Sequence, residues 1–208
     1  MLYLDMPTTG DASESGLIKF FQPISDIMDL RNQFPVARDD EHRECRLPFN
    51  STNKYAFSVN HYPTHDSEYC LFVKGAPERI WKICDYIDEG GRPVPKTPVW
   101  EHSFLEANNT FGKNGERVLG FAKLHLPKDK YPRDYNFNIE DKNLLKGLCF
   151  VGVLSLSDPP RDTVPPALMK CKAAGIKVIM VTGDQPVTAA SIAKQCNIIT
   201  EETVNEIA

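Results

Sequence analysis

The distribution of apolar and polar positions along the first third of the chain predicts helices followed by paired strands. Between residues 11 and 34, apolar side chains recur at spacings that partly suit helical faces, and Asp11 and Ser13 are suitable capping residues. The strongly charged stretch 35–46 breaks this pattern and is predicted to be a surface insertion with no assigned role. Residues 55–59 and 70–73 then have the composition of antiparallel strands joined by a polar loop.

The middle of the chain continues with short alternating elements. A short helix is predicted around residues 79–86, and glycines and prolines predict a loop between residues 90 and 98. A second helix is predicted from about 99 to 110, and residues 117–122 return to strand composition. Residues 127–146 are rich in charged and aromatic side chains and predict a polar loop.

From residue 148 onward the pattern changes to continuous apolar runs. Residues 148–154 and 176–181 form two such runs, with a predicted helix near 164–174 between them and another near 187–195 after them. Continuous runs around a helix indicate a parallel sheet buried on both faces. The sequence therefore predicts an α/β protein, in which an α+β domain with an antiparallel sheet (residues 1–147) precedes part of a parallel α/β domain (residues 148–208).

The composition of the chain argues against several classes of protein. The formal net charge of -4 and the lack of a basic run argue against a nucleic-acid partner. The six cysteines form no C-x-x-C pair and are predicted to be reduced and mostly buried, so neither disulfides nor metal ligands are expected. No apolar stretch approaches the roughly 18 residues of a membrane span, and residues 1–5 do not resemble a signal peptide. We therefore expect a soluble, cytosolic chain.

One short segment is a candidate ligand-binding site because of its position in the predicted fold. Thr182-Gly183-Asp184 lies where a predicted parallel strand ends and a helix begins, which is where open α/β sheets bind ligands. Gly183 permits the close approach of an anion, Thr182 can donate its hydroxyl, and Asp184 can reach a magnesium-bound or ribose group. An ordinary turn with a capping carboxylate is the alternative.

The order of several segments makes the chain resemble a known family. The segments are Gly10 to Ser15, Pro48 to Lys54, Lys74 to Arg79, Gly115 to Gly120, Asp158 to Arg161 and Met180 to Asp184. In this order they resemble P-type cation-transporting ATPases, most closely those of the sodium/potassium pump type, and proton/potassium pumps share most of them. The resemblance extends from about residue 10 to the end. It implies an incomplete nucleotide-binding domain, part of a haloacid-dehalogenase-like phosphorylation domain, and ATP with Mg²⁺ as ligands.

The resemblance also implies roles for residues of the nucleotide-binding domain. Phe49 matches an aromatic residue that stacks on adenine, with a core aromatic as the alternative. Lys54 and Lys74 match lysines that line the nucleotide pocket, although each alone would be an ordinary surface lysine. Gly75 matches a position where a side chain would obstruct the nucleotide, or it forms a simple turn. Glu14 matches an acidic residue that accepts from the adenine amino group, with helix capping as the alternative.

Other matched residues are implied to lie near the phosphates or the interdomain hinge. Arg117 matches an arginine that spans towards the phosphates on domain closure, with a surface ion pair as the alternative. Thr182, Gly183 and Asp184 join the same nucleotide site by resemblance. Asp158 and Arg161 flank two prolines that stiffen a hinge connection.

The sequence also departs from the family pattern. The Asp-Lys-Thr-Gly segment that carries the phosphorylated aspartate does not occur, and neither does the later magnesium-binding segment. No catalytic residue and no metal ligand are therefore predicted in the chain, which is expected to bind ATP without transporting an ion. Ala56 stands where these pumps usually place glutamine beside the nucleotide, and Gln185 replaces a usual histidine.

These departures leave two readings of the chain open. In the first, the parent pump would act at the cytoplasmic side of the plasma membrane, with membrane helices, the remaining pump domains and a beta-type subunit as partners. The alternative is a truncated, non-catalytic interaction protein.

Overall fold

A computed structural model describes residue 8 and residues 10–199, and every structural statement below concerns these residues. Residues 1–7, where the sequence predicts no signal peptide, lie outside the described part. Seven strands form one mixed sheet in the order β1-β2-β3-β6-β7-β4-β5. They are β1 (Arg46–Leu47), β2 (Tyr55–His61), β3 (Ser67–Gly75), β4 (Cys84–Glu89), β5 (Arg92–Pro95), β6 (Arg117–Pro127) and β7 (Leu148–Leu156). The predicted α/β class is confirmed.

Six α-helices accompany the sheet, together with a short 3-10 helix at Lys142–Leu145. The helices are α1 (Ala12–Phe21), α2 (Ile27–Gln33), α3 (Pro77–Ile83), α4 (Pro98–Lys113), α5 (Val164–Ala173) and α6 (Pro186–Gln195). Asp11 caps α1, since its carboxylate accepts from the backbone N–H of Glu14 at 2.8 Å. Prolines occupy the first turn of α3, α4, α5 and α6, where a missing backbone donor has no cost.

The chain divides into two compact units, each assembled from two pieces of sequence. The first unit comprises the residues up to Lys96 together with Leu119–Val153. The second comprises Thr97–Val118 together with the residues from Leu154 on. The predicted domains, 1–147 and 148–208, follow the order of the chain and remain a prediction.

The antiparallel part of the sheet supplies the core of the first unit. β2 and β3 pair along their length, with Tyr55 opposite Gly75 and His61 opposite Tyr69. Alternate residues of β3 turn inward, and Leu71 and Val73 are at most 2% exposed. The predicted antiparallel strands at 55–59 and 70–73 are therefore confirmed, and both extend beyond the predicted bounds.

The charged stretch 35–46 is not simply a surface insertion. The N–H of Ala37 donates to the carbonyl of Val59 at 2.8 Å, and the N–H of Val59 donates to the carbonyl of Cys45 at 2.9 Å. Ala37 and Cys45 are both buried. The segment thus pairs with β2, and its exposed ion pairs lie between residues 38 and 46. The sequence did not predict this pairing because Ala37 and Cys45 are small and are surrounded by charged residues.

The region after α3 differs from the predicted helix and loop. The helix ends at Ile83 rather than near residue 86, because the chain continues directly into β4. β4 and β5 form a hairpin around Gly90 and Gly91, so the predicted loop contains a strand. Pro93 and Pro95 are tolerated there because β5 is the last strand of the sheet, where backbone donors need no partner on the open side.

An ion pair crosses the sheet of the first unit. Lys123 on β6 donates to Asp88 on β4 at 2.6 Å, and β7 lies between these two strands in the sheet order. The hydrogen bond from Lys123 lowers the pKa of Asp88, and the same bond raises the pKa of Lys123. The pair therefore ties together two strands that are not sheet neighbours.

The predicted parallel domain is only partly reproduced. β7, α5 and α6 lie close to their predicted positions, but residues 176–181 form no strand. Ile179 and Val181 are 72% and 92% exposed. β7 instead joins the seven-stranded sheet, and its parallel neighbour is β4. The apolar pattern at 176–181 indicated a tendency to be buried, but a strand also needs a hydrogen-bonding neighbour, and none pairs with it here.

The six cysteines are free thiols, as predicted. All are buried except Cys171, which is partly exposed. Burial raises the pKa of Cys70 to about 11 and that of Cys84 to about 12, so these two thiols are unreactive near neutral pH. Among the described helices, none combines the length and the apolar character needed to cross a bilayer.

Candidate functional site

The paired ends of β2 and β3 form the centre of the candidate site. Ala56 lies opposite Lys74, and Tyr55 lies opposite Gly75, at the position where β3 ends. Residues directly opposite each other in an antiparallel pair place their side chains on the same face. Lys74 therefore projects beside Ala56, on the more exposed face of β3 that it shares with Phe72. We call this region the β2–β3 end.

Helix α1 brings Glu14 to the β2–β3 end. The ammonium of Lys74 donates to Oε1 of Glu14, and the two residues are 60 positions apart in sequence. Their side chains are 35% and 47% exposed, so water reaches the pair only in part. Asp11 caps the helix through the N–H of Glu14 and so fixes the turn from which Glu14 projects. The carboxylate of Glu14 therefore acts as an ion-pair partner, whereas helix capping is performed by Asp11.

Gly75 is required by the packing of its own strand pair. A Cβ atom at this position would collide with the carbonyl oxygen of Lys54 and would lie 2.6 Å from the Cα of Tyr55. Its sheet partner on β6 is Gly120, where a Cβ would lie 2.9 Å from the Cα of Pro77. Gly75 is the last residue of a strand, and the simple turn considered from the sequence is wrong.

Lys54 occupies the left-handed backbone region, with φ of 58°. Its N–H donates to the carbonyl of Asn50 at 2.8 Å, and its carbonyl accepts from the N–H of Ala76 at 2.9 Å. A non-glycine residue in this region is uncommon and is held there by its surroundings. The turn and the end of β3 thus fix Lys54 next to Gly75, while its side chain remains exposed.

Phe49 lies in the loop between β1 and β2, just before the Asn50–Lys54 turn. Its side chain is 63% exposed, so the interpretation as a core aromatic is wrong. Large apolar side chains exposed to this degree are common singly and need no explanation on their own. Here, however, the ring is carried by the loop that leads into Lys54, and it is available to contact a ligand.

In the second unit, Arg117, Thr182 and Asp184 form a connected group. Nη2 of Arg117 lies 3.3 Å from Oδ1 of Asp184. The hydroxyl of Thr182 donates to Oδ2 of Asp184 at 2.9 Å and accepts from its backbone N–H at 3.1 Å. The N-cap of α6 is Gln185, without a side-chain capping bond, so Asp184 is not a capping carboxylate. Arg117 therefore forms an ion pair in this structure. An ion pair was the alternative to its predicted contact with the phosphates.

The remaining predicted residues lie in exposed positions. Gly183 is exposed, and nothing lies within 4 Å of the space that a Cβ would occupy there. Asp158 and Arg161 are both exposed and follow the end of β7. The carbonyl of Arg161 accepts from the N–H of Val164, the first residue of α5, at 2.8 Å.

The structure thus gathers Glu14, Lys54, Lys74 and Gly75 within the first unit, with Phe49 on the adjoining loop. Two supporting residues were missed. Asn50 closes the turn before Lys54, with its side chain accepting from the N–H of Asn53 at 2.7 Å. An asparagine at the start of a polar turn was the available signal. The other is Ala76, whose backbone N–H donates to the carbonyl of Lys54. No sequence pattern predicts this contact.

Comparisons with known proteins agree on one family. The family described as P-type ATPase, cytoplasmic domain N, matches residues 4–163. Potassium-transporting ATPase alpha chain 2 of Oryctolagus cuniculus is 46% identical over 204 residues, covering 96% of this chain and 18% of that protein. Potassium-transporting ATPase alpha chain 1 of Xenopus laevis is 45% identical over 204 residues, covering 96% and 19%. Sodium/potassium-transporting ATPase subunit alpha-2 of Gallus gallus is 45% identical over 205 residues, covering 97% and 20%.

The chain therefore spans about a fifth of the length of these relatives. The matched segment includes the whole seven-stranded sheet and the helices α1 to α4. The segment of this chain matched by the family contains the β2–β3 end with Glu14, Phe49, Lys54, Lys74 and Gly75. The chain belongs to the P-type ATPase family and contains its cytoplasmic domain N.

Proposed function

We propose that the chain binds ATP at the β2–β3 end. The observation that carries this proposal is the convergence of Glu14, Lys54 and Lys74 from separate parts of the sequence, with an exposed aromatic ring on the neighbouring loop. Two ammonium groups offset the charge of a polyphosphate. A free aromatic face stacks on a base. Lys54 is also held in the left-handed backbone region, which is uncommon for a non-glycine residue and is found more often at functional sites.

In the parent protein, ATP bound here would drive cation exchange across the plasma membrane. We retain sodium/potassium exchange, as the motifs indicated, with proton/potassium exchange as the alternative. The identities do not separate the two, since they are 45–46% for the potassium-transporting chains and 44–45% for the sodium/potassium-transporting chains. The parent would also contain membrane helices, further domains on the cytoplasmic side and a beta-type subunit. The chain itself would be a soluble, cytoplasmic piece with no nucleic-acid partner.

In the second unit, Arg117, Thr182, Gly183 and Asp184 would meet the phosphates in the complete pump, and Asp158 and Arg161 would belong to the hinge. Mg²⁺ would arrive as part of the complex with ATP. Asp184 has the oxygen donors that Mg²⁺ prefers, but its two oxygens already contact Arg117 and Thr182. In the described part of the chain, no group of three or more His, Cys, Asp or Glu side chains is arranged to hold a metal ion.

Lys74→Ala is the direct test of the site. The substitution removes a charge-assisted contact and leaves Glu14 to repel an incoming phosphate, so we expect ATP affinity to fall by ~10-fold or more. The measurement is an equilibrium titration with a fluorescent ATP analogue, followed by displacement with ATP. Lys130→Ala, which removes an exposed lysine from the loop after β6, serves as the matched control. Equal affinities for the two variants would refute the site.

A second candidate is a non-catalytic interaction protein, and the 208 residues of the sequence contain no Asp-Lys-Thr-Gly segment. An aspartyl phosphate needs that nucleophile, so we expect no covalent label when the chain is incubated with ATP labelled on the terminal phosphate. The readout is acid precipitation followed by treatment with hydroxylamine. An acid-stable, hydroxylamine-sensitive label would contradict the prediction and show that another carboxylate acts as nucleophile.

A further inference from the structure

One hydroxyl residue of the chain precedes a proline. Thr97-Pro98 is the only Ser-Pro or Thr-Pro pair in the 208-residue sequence, and Pro95 lies two positions before Thr97. Proline-directed serine/threonine kinases recognise a serine or threonine that is followed by proline, and some of them also favour a proline two positions earlier. The segment Pro95 to Pro98 therefore has the sequence of a substrate for this class of kinase.

The backbone presents the hydroxyl of Thr97 at the surface. Thr97 is exposed and extended, with φ of −121° and ψ of 165°, and α4 begins at the next residue. The following proline favours this extended conformation. A threonine at this position usually caps the helix with its hydroxyl oxygen, but the side chain of Thr97 makes no capping bond. The hydroxyl is therefore accessible as a phosphoryl acceptor.

The first turn of α4 is only weakly held by packing. Pro98 and Glu101 are exposed, Val99 is 73% exposed, and the first buried side chain of the helix is Phe104. Helix ends with few buried contacts open at low cost in free energy. A kinase that binds its substrate as an extended segment can therefore reach Thr97 by opening this turn alone.

We propose that Thr97 is a phosphorylation site for a proline-directed serine/threonine kinase, and that the phosphate caps α4. In the transfer, Oγ of Thr97 forms a bond to the terminal phosphorus of ATP, the bond from that phosphorus to the bridging oxygen breaks, and ADP leaves. The hydroxyl proton passes to a base of the kinase. This ATP is bound by the kinase, so the inference does not depend on ATP binding at the β2–β3 end.

The unmodified helix begins with backbone donors that lack a helical acceptor. The first hydrogen bond of α4 runs from the N–H of Glu101 to the carbonyl of Thr97 at 3.0 Å. Pro98 has no N–H, and the N–H groups of Val99 and Trp100 precede the first helical bond. A phosphate on Thr97 offers these two groups oxygen acceptors, and it places negative charge at the positive end of the helix dipole. The modification thus provides the cap that the Thr97 side chain does not.

The test is incubation of the folded 208-residue chain with a purified proline-directed kinase and ATP labelled on the terminal phosphate. We expect a label at Thr97, located by mass spectrometry, that resists hydroxylamine because it is a phosphate ester and not an acyl phosphate. Thr97→Ala and Pro98→Ala should each abolish the label. Thr110→Ala is the matched control, since it removes another exposed hydroxyl of α4 that no proline follows, and it should keep the label.

A peptide of residues 92–103 serves as the control for kinase activity, because it contains the motif without the fold. A folded chain that stays unlabelled overturns the site, whether or not the peptide is labelled. A label that persists in Thr97→Ala, or one that is unaffected by Pro98→Ala, overturns it as well.

Hydrogen exchange tests the cap. In the phosphorylated chain, exchange at the N–H groups of Val99 and Trp100 should slow ~2- to 5-fold, as expected for a negative charge at a helix N-terminus. Exchange at Leu71 in the core of the first unit should not change and serves as the internal control. Equal exchange rates at Val99 and Trp100 in the two forms would overturn the cap.

Discussion

Replacing Gly75 with alanine is expected to lower the free energy of unfolding of the first unit by about 3 kcal/mol. The added methyl group would meet the carbonyl of Lys54 and would lie 2.6 Å from the Cα of Tyr55. Both obstacles are backbone atoms, one of the residue before β2 and one of the first residue of β2, so no side-chain rotation can relieve the collision. β2 and β3 would have to separate where their register places Tyr55 opposite Gly75.

This change can be followed by urea denaturation monitored by tryptophan fluorescence. The chain has two tryptophans, and Trp81 in the first unit is only 4% exposed. A Trp100→Phe background leaves Trp81 as the single reporter. Gly90→Ala is the control, because its added methyl group meets nothing within 4 Å. Its positive φ of 60° alone should cost about 1 kcal/mol. Similar losses for the two variants would show that steric contact does not explain Gly75.

The need for Gly75 illustrates what the sequence could and could not predict about the site. The resemblance to the family identified this glycine and explained it by access of the nucleotide. The structure adds a requirement within the protein, which is the close approach of two strands at the same position. A sequence contains no information about which backbone will pass within 3 Å of a given residue. The two explanations are compatible. The free energy of unfolding of the ligand-free chain tests the second one alone, because no nucleotide is present.

Local patterns predicted most elements of the fold but not their partners. The alternation in β2 and β3 and the prolines at the starts of the helices are properties of short segments, and those elements were predicted. Residues 176–181 have an equally clear apolar pattern but form no strand, because pairing depends on residues elsewhere. Likewise, Ala37 and Cys45 pair with β2 although their own segment is mostly charged.

The same distinction applies to the charged residues of the site. Glu14 and Lys74 were both predicted to contact a nucleotide, and their motifs lie 60 residues apart. Neither motif indicates that the two side chains bind each other in the ligand-free protein. The pairing follows from the position of α1 against β3, which is a tertiary relation. Lys74 was expected to be an unpaired cation. A phosphate that binds its ammonium must instead replace the carboxylate of Glu14.

Replacing Phe49 with alanine is expected to weaken ATP binding ~5- to 140-fold. Stacking of a base on an aromatic side chain contributes about 1 to 3 kcal/mol, and each 1.4 kcal/mol corresponds to a tenfold change in affinity. The ring is 63% exposed, so its removal should change the free energy of unfolding by less than about 0.5 kcal/mol. A loss of affinity with unchanged stability would therefore report on the contact with the ligand and not on the fold.

Calorimetric titration with ATP and with tripolyphosphate separates stacking from charge. Tripolyphosphate has no base, so Phe49→Ala should leave its affinity unchanged, and Phe49→Trp should preserve ATP binding because it keeps an aromatic face. Phe20→Ala is the matched control, since Phe20 is 57% exposed on α1. An equal loss for both ligands would indicate that the loop before Lys54 had been displaced. Unchanged ATP affinity would remove Phe49 from the site and leave Lys54 and Lys74 to bind the phosphates alone.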